Sequence, residues 1–218
     1  ADGHGSFRNI LIEELDPRAR LNSGAPRMLA MVQGLDASVQ GAMFIGYHAR
    51  IGTQHAILDH TWSSSCVAGA WINGQAMGEI GVNAAVCGHF DVPVIMISGD
   101  QAACAEAVGL LGPIEIAIVK QATGRISAEC LPPELAQERI YQAARQAVRR
   151  LRADDVPQPL SADTPVAVSI ELVTSDMADR ASVLPGTQRL EGKRLTYTAD
   201  DMPSAYRAMR AIAALAHG

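Results

Sequence analysis

Half of the histidines in this 218-residue chain fall in one short stretch, GYHARIGTQHAILDHTWSS, which spans residues 46–64. The chain contains six histidines, and this stretch holds His48, His55 and His60. Imidazole nitrogens are common zinc ligands, and they also exchange protons near neutral pH. The stretch therefore points to a metal site or to a proton-transfer site.

His48 is the candidate ligand whose position is best defined by its neighbours. It follows the apolar run MFIGY, which predicts a strand, so its side chain is expected where that strand leaves the sheet. The strand would fix the backbone of a metal ligand in this place. A histidine that is hydrogen-bonded in the core or exposed on the surface gives the same pattern, and spacing alone favours that explanation.

Glu79 is the second candidate ligand, at the start of a predicted helix in AMGEIGVNA. Gly78 and Gly81 flank it, so its carboxylate can approach a metal or another backbone closely. Asn83 lies one helical turn further on, on the same face. The helix dipole alone also favours an acidic residue in a first turn, which is the ordinary explanation of Glu79.

His4 and His60 complete the candidate set. His4 lies in ADGHG, where the Asp2 carboxylate is placed to orient a histidine ligand, although a disordered terminus explains the same residues. His60 lies in LDHTWSS and is predicted to carry a proton or to bond a substrate oxygen. These residues form no local motif such as HExxH, so their spacing is weak evidence. The weaker candidates are His55, Asp100, Lys120 and Arg125, whereas His89 is expected to pack within a helix and His217 to be terminal.

The composition excludes several classes of protein. The net charge is −5, and the apolar and charged fractions of 48% and 19% are ordinary for a globular protein. Basic residues are dispersed except in RQAVRRLR (145–152), which a solvated helix end explains, so nucleic acid is not an expected partner. No stretch resembles a signal peptide or a membrane-spanning helix, so no membrane association is expected and a cytoplasmic location is predicted.

The cysteines show no sign of metal binding or disulfide pairing. Cys66, Cys87, Cys104 and Cys130 lack CxxC spacing and lie among apolar or small residues. We expect all of them to be reduced, buried thiols.

The order of elements predicts an α/β fold with a layered, largely parallel sheet and helices on both faces. Three short apolar runs that end on polar residues predict strands at 41–49, 93–100 and 114–122. Helical spacing predicts helices at 79–90 and 100–111. The alternation of strand and helix favours parallel pairing, which gathers polar strand ends at one edge of the sheet.

From Leu131 the pattern changes to that of a smaller α+β unit. Its predicted elements are a helix over 132–152, strands over 166–173 and 193–199, and a closing helix over 202–218. The chain is therefore predicted to contain an α/β metal-binding domain, residues 1–130, and a smaller α+β domain, residues 131–218.

Three long motifs resemble one enzyme family. GAMFIGYHAR, GEIGVNAAVCGHFDVPVIMISGD and AIVKQATGR are similar to motifs of the zinc-dependent D-aminopeptidase family associated with bacterial dipeptide transport operons. The resemblance continues through SIEL, LPGT and DDMPSAYRAM, so it covers essentially the whole chain. It implies an aminopeptidase that uses metal-activated water to release N-terminal D-amino acids from short peptides such as D-Ala-D-Ala.

The resemblance also implies roles for residues and an assembly. His4 resembles the histidine ligand after the family's second strand, His48 the ligand in the GYHA motif, and Glu79 the carboxylate ligand in the GEIGVNA motif. His60 resembles the catalytic histidine that follows the GYHA strand and is not itself a ligand. Family members are decamers of two stacked pentameric rings, with two zinc ions per subunit, so a homo-oligomer of this kind is expected.

One feature of the family pattern is missing from the chain. The family opens with a strand that carries a D-x-E-G motif, whose Asp and Glu also bind zinc, and no D-x-E-G occurs here. The chain is therefore expected to begin where the family's second strand ends. Two zinc ions per subunit are expected only if the missing Asp and Glu ligands are supplied.

Two other functions stay open. Because the D-x-E-G ligands are missing, the alternative is a non-catalytic, ring-forming binding protein of the same fold that has lost its metals. A metal-independent amidase with Cys66 or Cys87 as nucleophile is the third hypothesis, but neither cysteine has a His or Asp partner in a recognisable motif.

Overall fold

The computed structural model describes residues 1–4 and 7–217. The strands in chain order are β1 (Ala42–Tyr47), β2 (Val67–Ile72), β3 (Gln75–Ala76), β4 (Val94–Asp100), β5 (Glu115–Gly124), β6 (Ser127–Cys130), β7 (Val166–Leu172), β8 (Gln188–Arg189) and β9 (Arg194–Ala199). The α-helices are α1 (Glu79–His89), α2 (Gln101–Leu111), α3 (Pro133–Arg152), α4 (Ser175–Ala181) and α5 (Met202–His217). Short 3₁₀ turns cover Ile12–Glu14 and Ala30–Val32.

The first sheet has the strand order β1-β4-β5-β6. Strands β1, β4 and β5 run parallel, and β6 returns antiparallel to β5 as a hairpin. The predicted strands at 41–49, 93–100 and 114–122 are present, as are the predicted helices at 79–90 and 100–111. The prediction of an α/β fold with a largely parallel sheet is confirmed.

Helices cover both faces of this sheet. Ala117 of β5 packs with Ala143 and Ala147 of α3. Its neighbour Ile118 packs instead against the cluster that contains Ala103 of α2. Because successive side chains of a strand point to opposite faces, α2 and α3 lie on opposite sides of the sheet.

The long helix α3 has the charge distribution that the helix dipole favours. It begins with a proline and Glu134 in its first turn, and Arg149, Arg150 and Arg152 lie in its last turn. The predicted basic cluster is therefore a helix end. Neither α3 nor any other helix in the described ranges is both long and apolar enough to cross a membrane.

The second sheet is antiparallel, with the order β3-β2-β7-β9-β8. Strands β7 and β9 and the closing helix α5 were predicted, but β2 and β3 were not. Strand β3 pairs with β2, and β2 pairs with β7, which lies far along the chain. Helix α3, in contrast, packs on the first sheet. The division into units 1–130 and 131–218 stays a prediction, and it does not follow the division between the sheets.

One hydrophobic cluster joins the two sheets. It includes Phe44 from β1, Ile170 from β7 and Val86 from α1. Helix α1 is buried continuously over Glu79–Cys87, and its small residues suit a helix that is surrounded by protein. This shared core fixes α1, and with it Glu79, against both sheets.

The cysteines are free thiols, as predicted, but they differ in burial. Cys66, Cys87 and Cys104 are buried, which confirms that part of the prediction. Cys130 is exposed, so the prediction of burial is wrong there. The reason is that Cys130 ends β6, which is the outer strand of the first sheet.

Two glycines in helices differ in the space around them, and this difference generates a prediction. A Cβ on Gly88 of α1 would overlap the carbonyl oxygen of Leu160, whereas one on Gly109 of α2 would meet nothing within 4 Å. We expect Gly88→Ala to lower the free energy of unfolding by about 1–3 kcal/mol through overpacking. The matched variant Gly109→Ala should raise it by about 0.5–1 kcal/mol through helix propensity. Urea unfolding followed by circular dichroism measures both values, and equal effects would contradict the close approach at Gly88.

Candidate metal centre

The candidate side chains meet at the carboxyl end of strand β1. His48 directly follows β1, and Glu79 is the first residue of α1. Gly78 precedes that helix, and a Cβ on it would lie 2.5 Å from the Cβ of Arg50. The lack of a side chain at Gly78 therefore lets the start of α1 approach the segment that follows β1.

Three imidazoles and one carboxylate converge there. Nitrogen atoms of His4, His48 and His60 all lie within 4.8 Å of one another. The His48 and His60 rings are stacked with centroids 3.7 Å apart, and His4 stands edge-on to His48 at 5.8 Å. Oε1 of Glu79 is 3.4 Å from Nε2 of His48 and 3.7 Å from Nε2 of His60. The structure thus brings together all four residues that the sequence analysis named.

Burial divides the four side chains into two pairs. His48 and Glu79 are 7% and 4% exposed. His60 is half-buried and His4 is exposed. A cation at this cluster would therefore have protein on the side of the buried pair and solvent on the side of His4.

Main-chain carbonyls orient the His48 and His60 rings. Nδ1 of His48 is 3.1 Å from the Ala49 carbonyl oxygen, and Nδ1 of His60 is 2.6 Å from that of Leu58. Because a carbonyl oxygen only accepts, each Nδ1 carries a proton, and Nε2 of the neutral ring keeps its lone pair. Both Nε2 atoms face Glu79. This is the tautomer that a metal ligand or a proton acceptor requires.

Glu79 makes the cluster electronegative in spite of its burial. Burial opposes its ionisation, but contact with His48 and the N–H of Trp62, which donates to Oε1 at 2.7 Å, lower the Glu79 pKa below its ordinary value. Burial also opposes charge on His48, yet Glu79 raises the His48 pKa above its ordinary value. The His60 pKa is lowered, chiefly by burial. The cluster therefore attracts positive charge, while His60 stays a neutral imidazole at neutral pH.

The segment that carries His4 is held by Asp2 in a way that differs from the sequence-based expectation. The Asp2 carboxylate is buried, and its Oδ2 accepts the N–H groups of Asn9 and Ile10 at 2.5 and 3.1 Å. Burial opposes ionisation of Asp2, but these hydrogen bonds lower its pKa below the ordinary value. Asp2 thus fixes the main chain around His4, and the structure records no hydrogen bond between its carboxylate and the His4 ring among the described residues.

Side chains from the sheet edge fasten the loop that carries His60. Oδ2 of Asp100 accepts the N–H of Ile57 at 2.9 Å, and Oδ2 of Asp59 accepts the N–H of Gly52 at 2.7 Å. Nε of Arg125 lies 2.9 Å from Oδ1 of Asp59. Asp100 and Arg125 were weaker candidates for chemistry, and neither belongs to the histidine cluster. Their contacts instead hold the loop in place.

The other histidines lie outside the cluster. His55 is exposed, and its carbonyl oxygen accepts a hydrogen bond from Gln101. His89 is exposed at the end of α1, so the expectation that it packs inside the helix is wrong. His217 contacts the hydroxyl of Ser63 at 2.8 Å.

Sequence reasoning missed the groups that orient the cluster. The N–H of Trp62 and the carbonyls of Ala49 and Leu58 are main-chain groups, so the residue types in the sequence do not predict their roles. Asn83 was predicted on the same helix face as Glu79, and its Nδ2 donates to the Tyr47 hydroxyl at 2.9 Å. No local sequence pattern connects Asn83 with Tyr47, so this hydrogen bond was not predicted.

A cavity of about 470 Å³ adjoins the cluster. His4, His48 and Glu79 line one part of it, and its other walls include the apolar side chains of Met31 and Phe44. Cavities of this volume hold small molecules in other proteins. The arrangement can therefore present a small ligand to the three imidazoles and the carboxylate.

Comparison with known proteins agrees with this geometry. Residues 1–211 match the family described as D-aminopeptidase. A D-aminopeptidase of Bacillus subtilis (strain 168) is 36% identical over 216 residues, which cover 99% of this chain and 77% of that protein. A solved structure, "Zn-dependent D-aminopeptidase DppA from Bacillus subtilis, a self-compartmentalizing protease", superposes with a TM-score of 0.93 at 35% identity, covering 99% of this chain and 77% of that one. With a family match along nearly its whole length, and with its candidate side chains assembled in one place, this chain belongs to the D-aminopeptidase family.

Proposed function

We propose that this chain is a zinc-dependent aminopeptidase that releases N-terminal D-amino acids from short peptides, with D-Ala-D-Ala as a representative substrate. The observation that carries the proposal is the convergence of three imidazoles and a buried carboxylate beside a cavity, in a chain of the D-aminopeptidase family. The similar Bacillus subtilis protein is described as Zn-dependent, which supports the same metal here.

The donor set suits zinc. Zinc binds histidine nitrogen and carboxylate oxygen at about 2.0–2.2 Å, so two ligands of one ion lie about 3–4 Å apart. The three histidine nitrogens lie within 4.8 Å of one another, and Glu79 is 3.4 Å from His48, so small rotations bring these atoms to bonding distance. His4, His48 and Glu79 are the proposed ligands. We propose two zinc ions per subunit where the Asp and Glu of a D-x-E-G strand are also supplied.

His60 is the proposed proton carrier. Zinc held by His4, His48 and Glu79 would supply a water of lowered pKa and a Lewis acid for the peptide carbonyl. Because Nδ1 of His60 donates to the Leu58 carbonyl, Nε2 holds the free lone pair that accepts a proton from the attacking water. The same nitrogen then delivers this proton to the leaving amine. The lowered pKa of His60 supports this role, since the ring starts the cycle neutral.

The donor set supports an exopeptidase. The free α-amine of a short peptide, in its neutral form, would be able to coordinate a zinc ion held by the cluster. The apolar walls of the cavity, such as Met31 and Phe44, suit small apolar side chains such as alanine. Preference for D-residues is inferred from the family.

We propose that the chain acts as a cytoplasmic homodecamer of two stacked pentameric rings. The description of the Bacillus subtilis structure as self-compartmentalizing supports an assembly that encloses its active sites. Enclosure would admit short peptides and exclude folded proteins.

The cysteines do not support the thiol mechanism. Cys66 and Cys87 are buried, and burial raises the pKa of Cys87 to about 12, so Cys87 is not a thiolate at neutral pH. The thiol of Cys66 faces the carbonyl of Ala213 in the core. The remaining alternative is a non-catalytic binding protein of the same fold, which zinc content and activity separate from the enzyme.

We expect His48→Ala to lose both zinc and peptidase activity, because His48 contributes a buried ligand to the cluster. Elemental analysis of the dialysed protein measures zinc per chain. The control is His89→Ala, which removes an exposed histidine outside the cluster and should keep the wild-type zinc content. Full zinc occupancy in His48→Ala would refute its assignment as a ligand.

We expect His60→Ala to lower kcat by about a hundredfold or more and to keep bound zinc near the wild-type value. The matched control is His55→Asn in the same loop, because asparagine tolerates the positive φ of 53° at that residue. This control should change kcat by less than about twofold, since the His55 side chain is exposed. Loss of zinc in His60→Ala would show that His60 is a ligand.

The zinc-loaded protein should release D-alanine from D-Ala-D-Ala and leave L-Ala-L-Ala largely intact. A chelator should abolish the activity, added zinc should restore it, and a thiol-alkylating reagent should have no effect. Amino-acid analysis of the reaction measures both products. A fully zinc-loaded protein that is inactive on a panel of short D-peptides would favour the binding-protein alternative.

A further inference from the structure

The tip of the β5–β6 hairpin contacts the loop that carries His60 at three points. Nε of Arg125 lies 2.9 Å from Oδ1 of Asp59, and Nη2 of Arg125 donates to the Asp59 carbonyl oxygen at 3.0 Å. The N–H of Leu58 donates to the Arg125 carbonyl oxygen at 2.7 Å. Arg125 therefore binds both residues that directly precede His60.

These contacts act on the atoms that orient His60. The Leu58 carbonyl accepts from Nδ1 of His60, while the N–H of the same residue is bound by Arg125. Arg125 thus holds the peptide groups on either side of the Leu58–Asp59 peptide, and the Leu58 carbonyl between them sets the direction of the His60 ring.

Asp59 needs the guanidinium of Arg125 because its carboxylate is buried. Asp59 is 7% exposed. Its Oδ2 accepts the Gly52 N–H, and its Oδ1 faces Arg125. A buried carboxylate that loses its cationic partner moves toward solvent, and this movement disturbs the neighbouring residues.

The loop also requires support from outside because its backbone is strained. His55, Leu58 and Trp62 have positive φ angles of 53°, 53° and 57°. Each such angle is unfavourable for a non-glycine residue, so the loop keeps this conformation only while other contacts define it. The hairpin supplies three of these contacts next to His60.

We propose that Arg125 is a positioning residue that holds His60 at the reacting end of the cavity through Asp59 and Leu58. This inference rests on the proposed role of His60. His48 and Glu79 are placed by β1 and α1 and not by the contacts of Arg125 with Asp59 and Leu58. Removing Arg125 should therefore affect proton transfer more than zinc binding. The side chain of Arg125 is half-exposed, so its replacement leaves no cavity in the core and folding should persist without it.

The test compares Arg125→Ala, Arg125→Lys and Asp59→Asn with the control Arg189→Ala. Arg189 also pairs with an aspartate, since its Nη1 lies 2.7 Å from Oδ1 of Asp179, but it belongs to the second sheet. The measurements are kcat and KM on D-Ala-D-Ala, zinc per chain, and hydrogen exchange of the amides of Gly52 and Leu58.

We expect Arg125→Ala to lower kcat about tenfold or more, with KM and zinc content within about twofold of wild type. Arg125→Lys should have a higher kcat than Arg125→Ala, because lysine keeps the positive charge but lacks the planar set of N–H donors of the guanidinium. The kcat of the double variant of Arg125→Ala and Asp59→Asn should be no lower than that of the slower single variant, because both substitutions remove the same ion pair. The amides of Gly52 and Leu58 should exchange faster in Arg125→Ala and at the wild-type rate in Arg189→Ala.

Several results would overturn the inference. A wild-type kcat in Arg125→Ala, a loss no larger than that of Arg189→Ala, or a rise in KM with unchanged kcat would each do so. The last result would make Arg125 a substrate-binding residue. If the zinc-loaded wild-type protein cleaves no peptide, the proposed function fails, and the hydrogen-exchange comparison still decides whether Arg125 holds the loop.

Discussion

The buried carboxylate of Glu79 is the group around which the rest of the site is arranged. A negative charge inside a protein must be compensated by donors or cations. Here the compensation comes from His48 and the N–H of Trp62. The first follows a strand and the second lies in the loop after it, so one charge brings separate parts of the chain to a common point. The same charge makes that point attractive to a cation.

The topology explains why these parts can meet. Parallel strands place their carboxyl ends at one edge of a sheet, and α1 enters that edge with Glu79 as its first residue. The close approach at Gly78 and the continuous core on both sides of α1 keep the helix start in register with the end of β1. The buried half of the site is therefore built from regular elements, which position side chains more accurately than loops do.

The sequence predicted those features that depend on local pattern and missed those that depend on distant pairing. His48 and Glu79 were found because an apolar run and a helix start are visible within a few residues of each. The second sheet was only partly predicted, because β2 finds its partner β7 far along the chain. The ion pair of Arg125 with Asp59 joins residues that no local pattern connects. The carbonyls of Ala49 and Leu58 that orient the rings belong to the main chain, so no residue type predicts them. Exposure of Cys130 follows from its place on an outer strand, which only the strand order reveals.

The division of the four side chains into a buried pair and an accessible pair has a kinetic consequence. His48 and Glu79 are anchored in the interior, next to β1 and at the start of α1. His4 and His60 belong to irregular segments on the solvent side, and His4 would be the last of the proposed ligands to contact an entering ion. An ion would thus reach the buried pair from the side of His4, and its exchange rate should depend on the contacts that hold His4.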